Sequence, residues 1–174
     1  MITYQTAVKS DYINITALHI KSWQQNNRGI LDDNFLENLV QQERLDVWTK
    51  RFKNPTDNQH IITAKNQQQL CGFTCLYGGK DPKYGTYLDN LHVAKEWQGK
   101  GVGKRLIQLA GQWTQQQYSN QGLHLFVFMA NTTAIGFYER IGGQRKEIRS
   151  YDLGDGTGRM GDVGVYYWEK PWKI

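Results

Sequence analysis

A chain of 174 residues with 39% hydrophobic and 21% charged side chains can build one folded core, is not disordered, and is too short for two ordinary domains. Its net charge of +5 would suit an anionic partner, but only Lys100, Lys104 and Arg105 gather on a motif; the other basic residues (Lys21, Arg28, Arg44, Lys50, Arg51, Lys53, Lys65) are scattered, with no aromatic-interleaved stripe for nucleic acid. No apolar run reaches membrane-spanning length and Met1-Ile2-Thr3-Tyr4 lacks the layout of an export signal, so a cytoplasmic protein free of membrane and nucleic acid is expected.

Ile2 to Val8 alternates as a first strand. Ser10 or Asp11 then offers a cap for a helix on which Ile13, Ala17, Ile20 and Trp23 recur at helical spacing, ended by Asn26-Asn27-Arg28-Gly29. Asp32 and Asp33 can cap a second helical segment carrying Phe35, Leu36, Leu39, Val40, Val47, Trp48 and Phe52, which Pro55 closes. His60 to Lys65 and Leu70 to Tyr77 are β-rich runs joined by Asn66-Gln67-Gln68-Gln69, the pattern of a hairpin. Strict alternation puts Cys71 and Cys75 on one face; they fit no zinc or redox spacing and are read as buried free thiols. The histidines have no metal-ligand spacing either, so no metal is expected.

A loop over Gly78 to Gly85 leads to a strand from Tyr87 to Val93. Alternation groups Tyr87, Asp89, Leu91 and Val93 on one face and Asn90 and His92 on the other. The stretch Gln98-Gly99-Lys100-Gly101-Val102-Gly103-Lys104 then opens a helix that runs to about Tyr118. Strand, glycine turn and helix start make an anion site, because the first helical amides lack partners and the peptide dipoles add there. A nucleotide P-loop is excluded, since Gln98 stands where its first glycine belongs and Arg105 where its Ser or Thr belongs. The dinucleotide fingerprint fails too, with Lys104 and Leu106 at its third glycine.

Leu123 to Met129 reads as a strand, followed by a helix from Asn131 that Gly142-Gly143 stops in a left-handed cap. Gln144 to Asp152 and Met160 to Trp168, joined through Asp155-Gly156-Thr157-Gly158, predict a final hairpin.

Gln98, Gly101 and Gly103 resemble the (Arg or Gln)-x-x-Gly-x-(Gly or Ala) acetyl-CoA loop of the GCN5-related N-acetyltransferases. Asn131, Ala134, Phe137-Tyr138-Glu139-Arg140 and Gly142 resemble a second segment of that family, in the right order. Ser22-Trp23, Arg28-Gly29, Phe35-Leu36 and Trp48 are similar to the entry segment of its bacterial small-molecule members; Asn27, Lys95 and Gly143 depart from the pattern. The resemblance implies an α/β fold over residues 1 to 174, one domain with a twisted, mixed, mostly antiparallel sheet of about seven strands flanked by helices. It implies acetyl-CoA as co-substrate, held by the Leu91 and Val93 backbone, by Gln98, Gly99, Lys100, Gly101, Val102, Gly103 and Lys104, and by Asn131, with Tyr138 beside the thioester sulfur.

Tyr138 is then the group that stabilises the leaving thiolate, and Asp89 either takes the amine's proton through water or pairs with the ammonium. Trp23, Tyr87 and Asp89 are the candidate acceptor contacts, and His92 is read as structural. The expected reaction is direct transfer to a primary amine of a small molecule in a ternary complex, because neither cysteine falls in a motif that touches the thioester. A protein N-terminus or lysine as acceptor, and a non-catalytic CoA-binding module, stay open. So does a homodimer, with Tyr166-Tyr167-Trp168 apolar enough for an interface or for the core.

Overall fold

The computed structural model describes residues 1–174. Its strands are β1 (Ile2–Thr6), β2 (Gln59–Asn66), β3 (Gln69–Asp81), β4 (Gly85–Val93), β5 (Leu123–Phe128), β6 (Gln144–Asp152) and β7 (Met160–Trp168). They form one seven-stranded sheet in the order β1-β2-β3-β4-β5-β7-β6. Every neighbouring pair is antiparallel except β4 and β5. The helices are α1 (Tyr12–Asn26), α2 (Val40–Lys53), α3 (Val102–Gln117) and α4 (Thr132–Arg140). The α/β layout with a mixed, mostly antiparallel sheet is the one expected.

Strand alternation sends side chains to two cores. On one face Leu88, Leu123, Leu125, Val127, Tyr166 and Trp168 meet Val102, Leu106, Ile107 and Ala110 of α3, with Ala134, Ile135 and Tyr138 of α4 packed against them. On the other face Ile61, Phe73 and Cys75 meet Ile15 and Leu18 of α1 and Trp48 of α2. Removing a Leu or Ile from water in this way contributes about 1.5–3 kcal/mol per side chain. Tyr166 and Trp168 are both in the core, and Tyr167 between them is half-buried.

Several boundaries move. β1 ends at Thr6, and a short turn over Lys9–Asp11 precedes α1. The Asp11 carboxylate accepts the Val8 amide at 3.0 Å and pairs with Lys65 at 2.5 Å, rather than capping α1 directly. Asp32 does cap its helical segment, accepting the Phe35 amide at 3.1 Å, but the first turn, Phe35–Leu39, is π-helical before α2 begins. The loop expected over Gly78 to Gly85 is mostly strand: β3 continues to Asp81, whose carboxylate gathers the amides of Lys83 (2.7 Å) and Tyr84 (2.8 Å) into a tight turn.

Two bulges overturn the alternation used above. Ala64 pairs with Gly72 and Lys65 with Leu70, so Cys71 is an extra residue and faces the α3 core, whereas Cys75 faces α1 and α2. Both remain buried free thiols, as expected. In the same way Cys75 pairs with Asn90 and Leu76 with Leu88, leaving Asp89 as the extra residue of β4. One inserted residue reverses every side chain beyond it. Leu91 and Val93 therefore turn to the α3 side with Leu88, while Asp89, Asn90 and His92 turn to α1 and α2.

Candidate active site

β4 and β5 pair only at Thr86 with Leu123 and Tyr87 with His124. Beyond that point β4 stays with β3 and β5 with β7, so the two parallel strands part and leave a slit edged by the main chain of Leu88 to Val93. The predicted residues Leu91 and Val93 lie on this edge. The Val93 carbonyl accepts the side-chain amide of Gln98 at 3.1 Å, which ties the end of the strand to the glycine turn.

In that turn Gly99 (φ 73°) and Gly101 (φ 81°) hold left-handed backbone that side chains rarely adopt, with nothing within 4 Å of where a Cβ would stand. α3 starts with no side-chain cap, and its first amide bond runs from Arg105 to the Gly101 carbonyl. The amides of Gly99, Lys100, Gly101, Val102, Gly103 and Lys104 thus donate to no backbone carbonyl. Such a row is costly unless an acceptor covers it, and it points out of an open helix N-terminus. Lys100 rests with Nζ 4.9 Å from the Trp97 ring, and Lys104 is exposed. These residues fit the diphosphate of a CoA ester. Gly103 closes the other side: a Cβ there would stand 3.4 Å from Phe137 and 3.5 Å from Val93, so α3, α4 and the slit converge on it.

Asn131 caps α4, its Oδ1 accepting the Ala134 amide at 3.1 Å, and its side-chain NH2 remains for another acceptor. Tyr138 follows on the face of α4 that packs with Leu91 and Val93 against the same core, beside Phe137, Tyr166 and Trp168. Burial pushes its phenol up to about 12. The unexpected Gly143 has a steric cause: a Cβ would come within 2.6 Å of Trp168 and 2.8 Å of the Tyr138 carbonyl.

The opposite side of the slit carries the acceptor candidates. Asp89 is held by Arg51 of α2 at 2.5 Å, and the same guanidinium donates to Asn90 at 2.6 Å. Trp23 and Tyr87 pack with different neighbours: Trp23 on His19 and Phe35, Tyr87 stacked on His124 and against Phe126. His92 bonds Ser22 through Nδ1 at 2.8 Å, and burial, with the Arg44 charge second, pulls its imidazole down to about 3. The indole of Trp48 donates to His19 Nδ1 at 3.0 Å, so His19 carries its proton on Nε2, which has no partner. Leu31, Phe35, Leu36 and Val40 roof this side together with Trp23, Phe128 and Leu153. A buried carboxylate buckles that roof down: Asp155, in the β6–β7 turn, accepts the Asp32 amide at 2.9 Å, the Thr157 amide at 3.0 Å and Arg159 at 3.0 Å. A polar cavity of about 450 Å³ opens between the end of α1 and the glycine turn, lined by Gln24, Gln25, Asn26, Arg28, Lys95 and Gln98.

Arg44, Arg51 and Phe126 were given no place in the site from the sequence, and neither was the Ser22–His92 pair. One signal was there for the arginines. Arg44 and Arg51 fall on the helical stripe of Val40 and Trp48, where a charge must find a partner.

The profile of the acetyltransferase (GNAT) family matches residues 23–143. A probable spermine N(1)-acetyltransferase of Bacillus subtilis subsp. natto is 35% identical over 81 residues, covering 43% of this chain and 53% of that protein. The chain spans about half the length of the curated relatives it matches. Among solved structures, a PaiA N-acetyltransferase of Thermoplasma acidophilum in complex with coenzyme A superposes with a TM-score of 0.72 at 18% identity, covering 97% of this chain and 99% of that one. A spermidine N-acetyltransferase of Vibrio cholerae does so with a TM-score of 0.68 at 21% identity, covering 99% and 96%. With a match over most of its length, and with the split strands and bare helix start described above, this chain belongs to the GNAT acetyltransferase family.

Proposed function

We propose that the protein transfers an acetyl group from acetyl-CoA directly to a primary amine of a small molecule, in a ternary complex, with residues 1–174 acting as one unit. The observation that carries this reading is the row of six unpaired amides from Gly99 to Lys104 at the mouth of the slit between β4 and β5. When bound, acetyl-CoA supplies the acetyl group and a thiolate leaving group. The amides of the turn and Lys100 and Lys104 hold its diphosphate, and the free side-chain NH2 of Asn131 and the edge of β4 at Leu91 and Val93 orient the arm. The Leu91 amide serves the negative charge that develops on the carbonyl oxygen.

Tyr138 donates a hydrogen bond to the sulfur as it becomes a thiolate. With its phenol near 12, it keeps its proton throughout. On the other side Asp89, paired with Arg51, orders the incoming amine or a water. His92, near 3, cannot hold a proton at neutral pH. The amine's proton leaves through that water. The names of the curated relatives, spermine and spermidine acetyltransferases, support a small amine as acceptor. The test is thiol release from acetyl-CoA across polyamines, amino acids, aminoglycosides and peptides, alongside titration calorimetry with CoA. CoA binding with thiol release driven by a small amine is expected; CoA binding with no amine-dependent release leaves a binding module instead.

A further inference from the structure

Four carboxylates on or around the acceptor side of the slit already face an arginine. Asp89 faces Arg51, Glu147 faces Arg149, Asp155 faces Arg159 and Glu43 faces Arg44. In each of these four pairs the negative charge is already matched. The surplus of carboxylate is outside, where the half-exposed Arg28 holds both Asp33 and Glu37.

The four arginines are not held alike. Arg51 is gripped from β4 by Asp89 and Asn90, and Arg159 also reaches the Ile30 carbonyl. Arg149 shares Glu147 with the Tyr84 hydroxyl. Arg44 has only Glu43, its neighbour on α2, and adjacent helical residues point in different directions. Yet Arg44 is the more enclosed partner, 12% exposed against 38% for Glu43. Its guanidinium lies 4.3 Å over the Trp23 ring and bears on His92, one residue from the slit edge at Leu91. An enclosed guanidinium whose sole partner can swing back to water is placed to exchange that partner for an incoming carboxylate, which it can grip in two places.

We propose that the acceptor is a zwitterionic amine, a free amino acid or a close analogue, whose carboxylate displaces Glu43 from Arg44 while its amine enters the slit over Trp23. This rests on the acetyltransferase reading and narrows its substrate class. It sets this chain apart from the polyamine chemistry in the names of its relatives.

The test follows thiol release at saturating acetyl-CoA for a set of amino acids, the matching amino acid amides, a short peptide, spermidine and spermine, with the parent protein and with Arg44→Gln and Arg44→Lys. At least one amino acid is expected to exceed its own amide and both polyamines about tenfold or more in kcat/KM. Arg44→Gln is expected to bring that ratio close to one by raising the amino acid's KM, and Arg44→Lys to recover part of it. Spermidine or spermine outrunning every amino acid overturns the inference while leaving acetyl transfer intact, as does an acid-to-amide ratio that Arg44→Gln does not change. Thiol release with none of these amines, while calorimetry still shows CoA bound, fails the acetyltransferase reading itself.

Discussion

At the scale of single residues the phenol of Tyr138 is the most exacting test. A free thiol ionises near 8.5, so a phenol raised to about 12 is the weaker acid by more than three pKa units, and complete proton transfer would be uphill by about 5 kcal/mol. A strengthening hydrogen bond is the economical role. Tyr138→Phe is expected to lower kcat by about 10² or more with the CoA dissociation constant within about twofold, measured by steady-state thiol release and calorimetry. No alkaline limb from this residue should appear below about pH 11; a limb at pH 10 that vanishes in the variant would contradict the assignment. The glycine turn between β4 and α3 was legible in the sequence, because Gly99 and Gly101 hold a left-handed backbone that other residues rarely adopt. Asp89 was wrongly grouped with Leu91 and Val93, and Cys71 with Cys75. Each is the extra residue of a bulge, and a bulge is decided by pairing with a neighbouring strand, which alternation within one strand does not report.

At the scale of elements, the β4 bulge is what joins the sheet to α2. By turning Asp89 and Asn90 to the same side, it presents two acceptors to one guanidinium, with Arg51 17% and Asp89 20% exposed. Removing one member strands the other in a poorly hydrated place. Arg51→Met is expected to cost about 2–4 kcal/mol in urea unfolding, and the double variant Arg51→Met with Asp89→Asn less than Arg51→Met alone. A double variant as unstable as the sum of the singles would show that the two side chains act independently. Helix and strand order was readable from periodicity along the whole chain. The slit was not, because it depends on β7 inserting between β5 and β6 while β4 and β5 share only two register pairs. Nor was the roof, which brings Leu31 and Phe35 to Phe128 and Leu153 across most of the chain.

For the whole molecule, the buried imidazoles set how stability responds to acid. His92 titrates near 6.5 when unfolded and near 3 when folded, and burial lowers His19 as well, with His92 a further cause. Between those values the unfolded chain binds protons that the folded chain refuses, so stability falls as pH falls. From pH 7 to pH 5 the loss from His92 is about 1–2 kcal/mol, a fall of several degrees in Tm by calorimetry. His92→Gln should flatten that slope; an unaltered slope would mean that His92 is charged in the folded protein.

The buckle at Asp155 has a consequence for how the molecule is made. Its bond to the Asp32 amide spans 123 positions of sequence, and β5 gains its antiparallel neighbour only when β7 exists. During synthesis, therefore, the helices near the start of the chain wait beside a half-built sheet until residue 155 has left the ribosome. The wall across the slit from the glycine turn is then the last part to set, and a nascent chain interrupted anywhere before that point carries the Gly99–Lys104 turn without it.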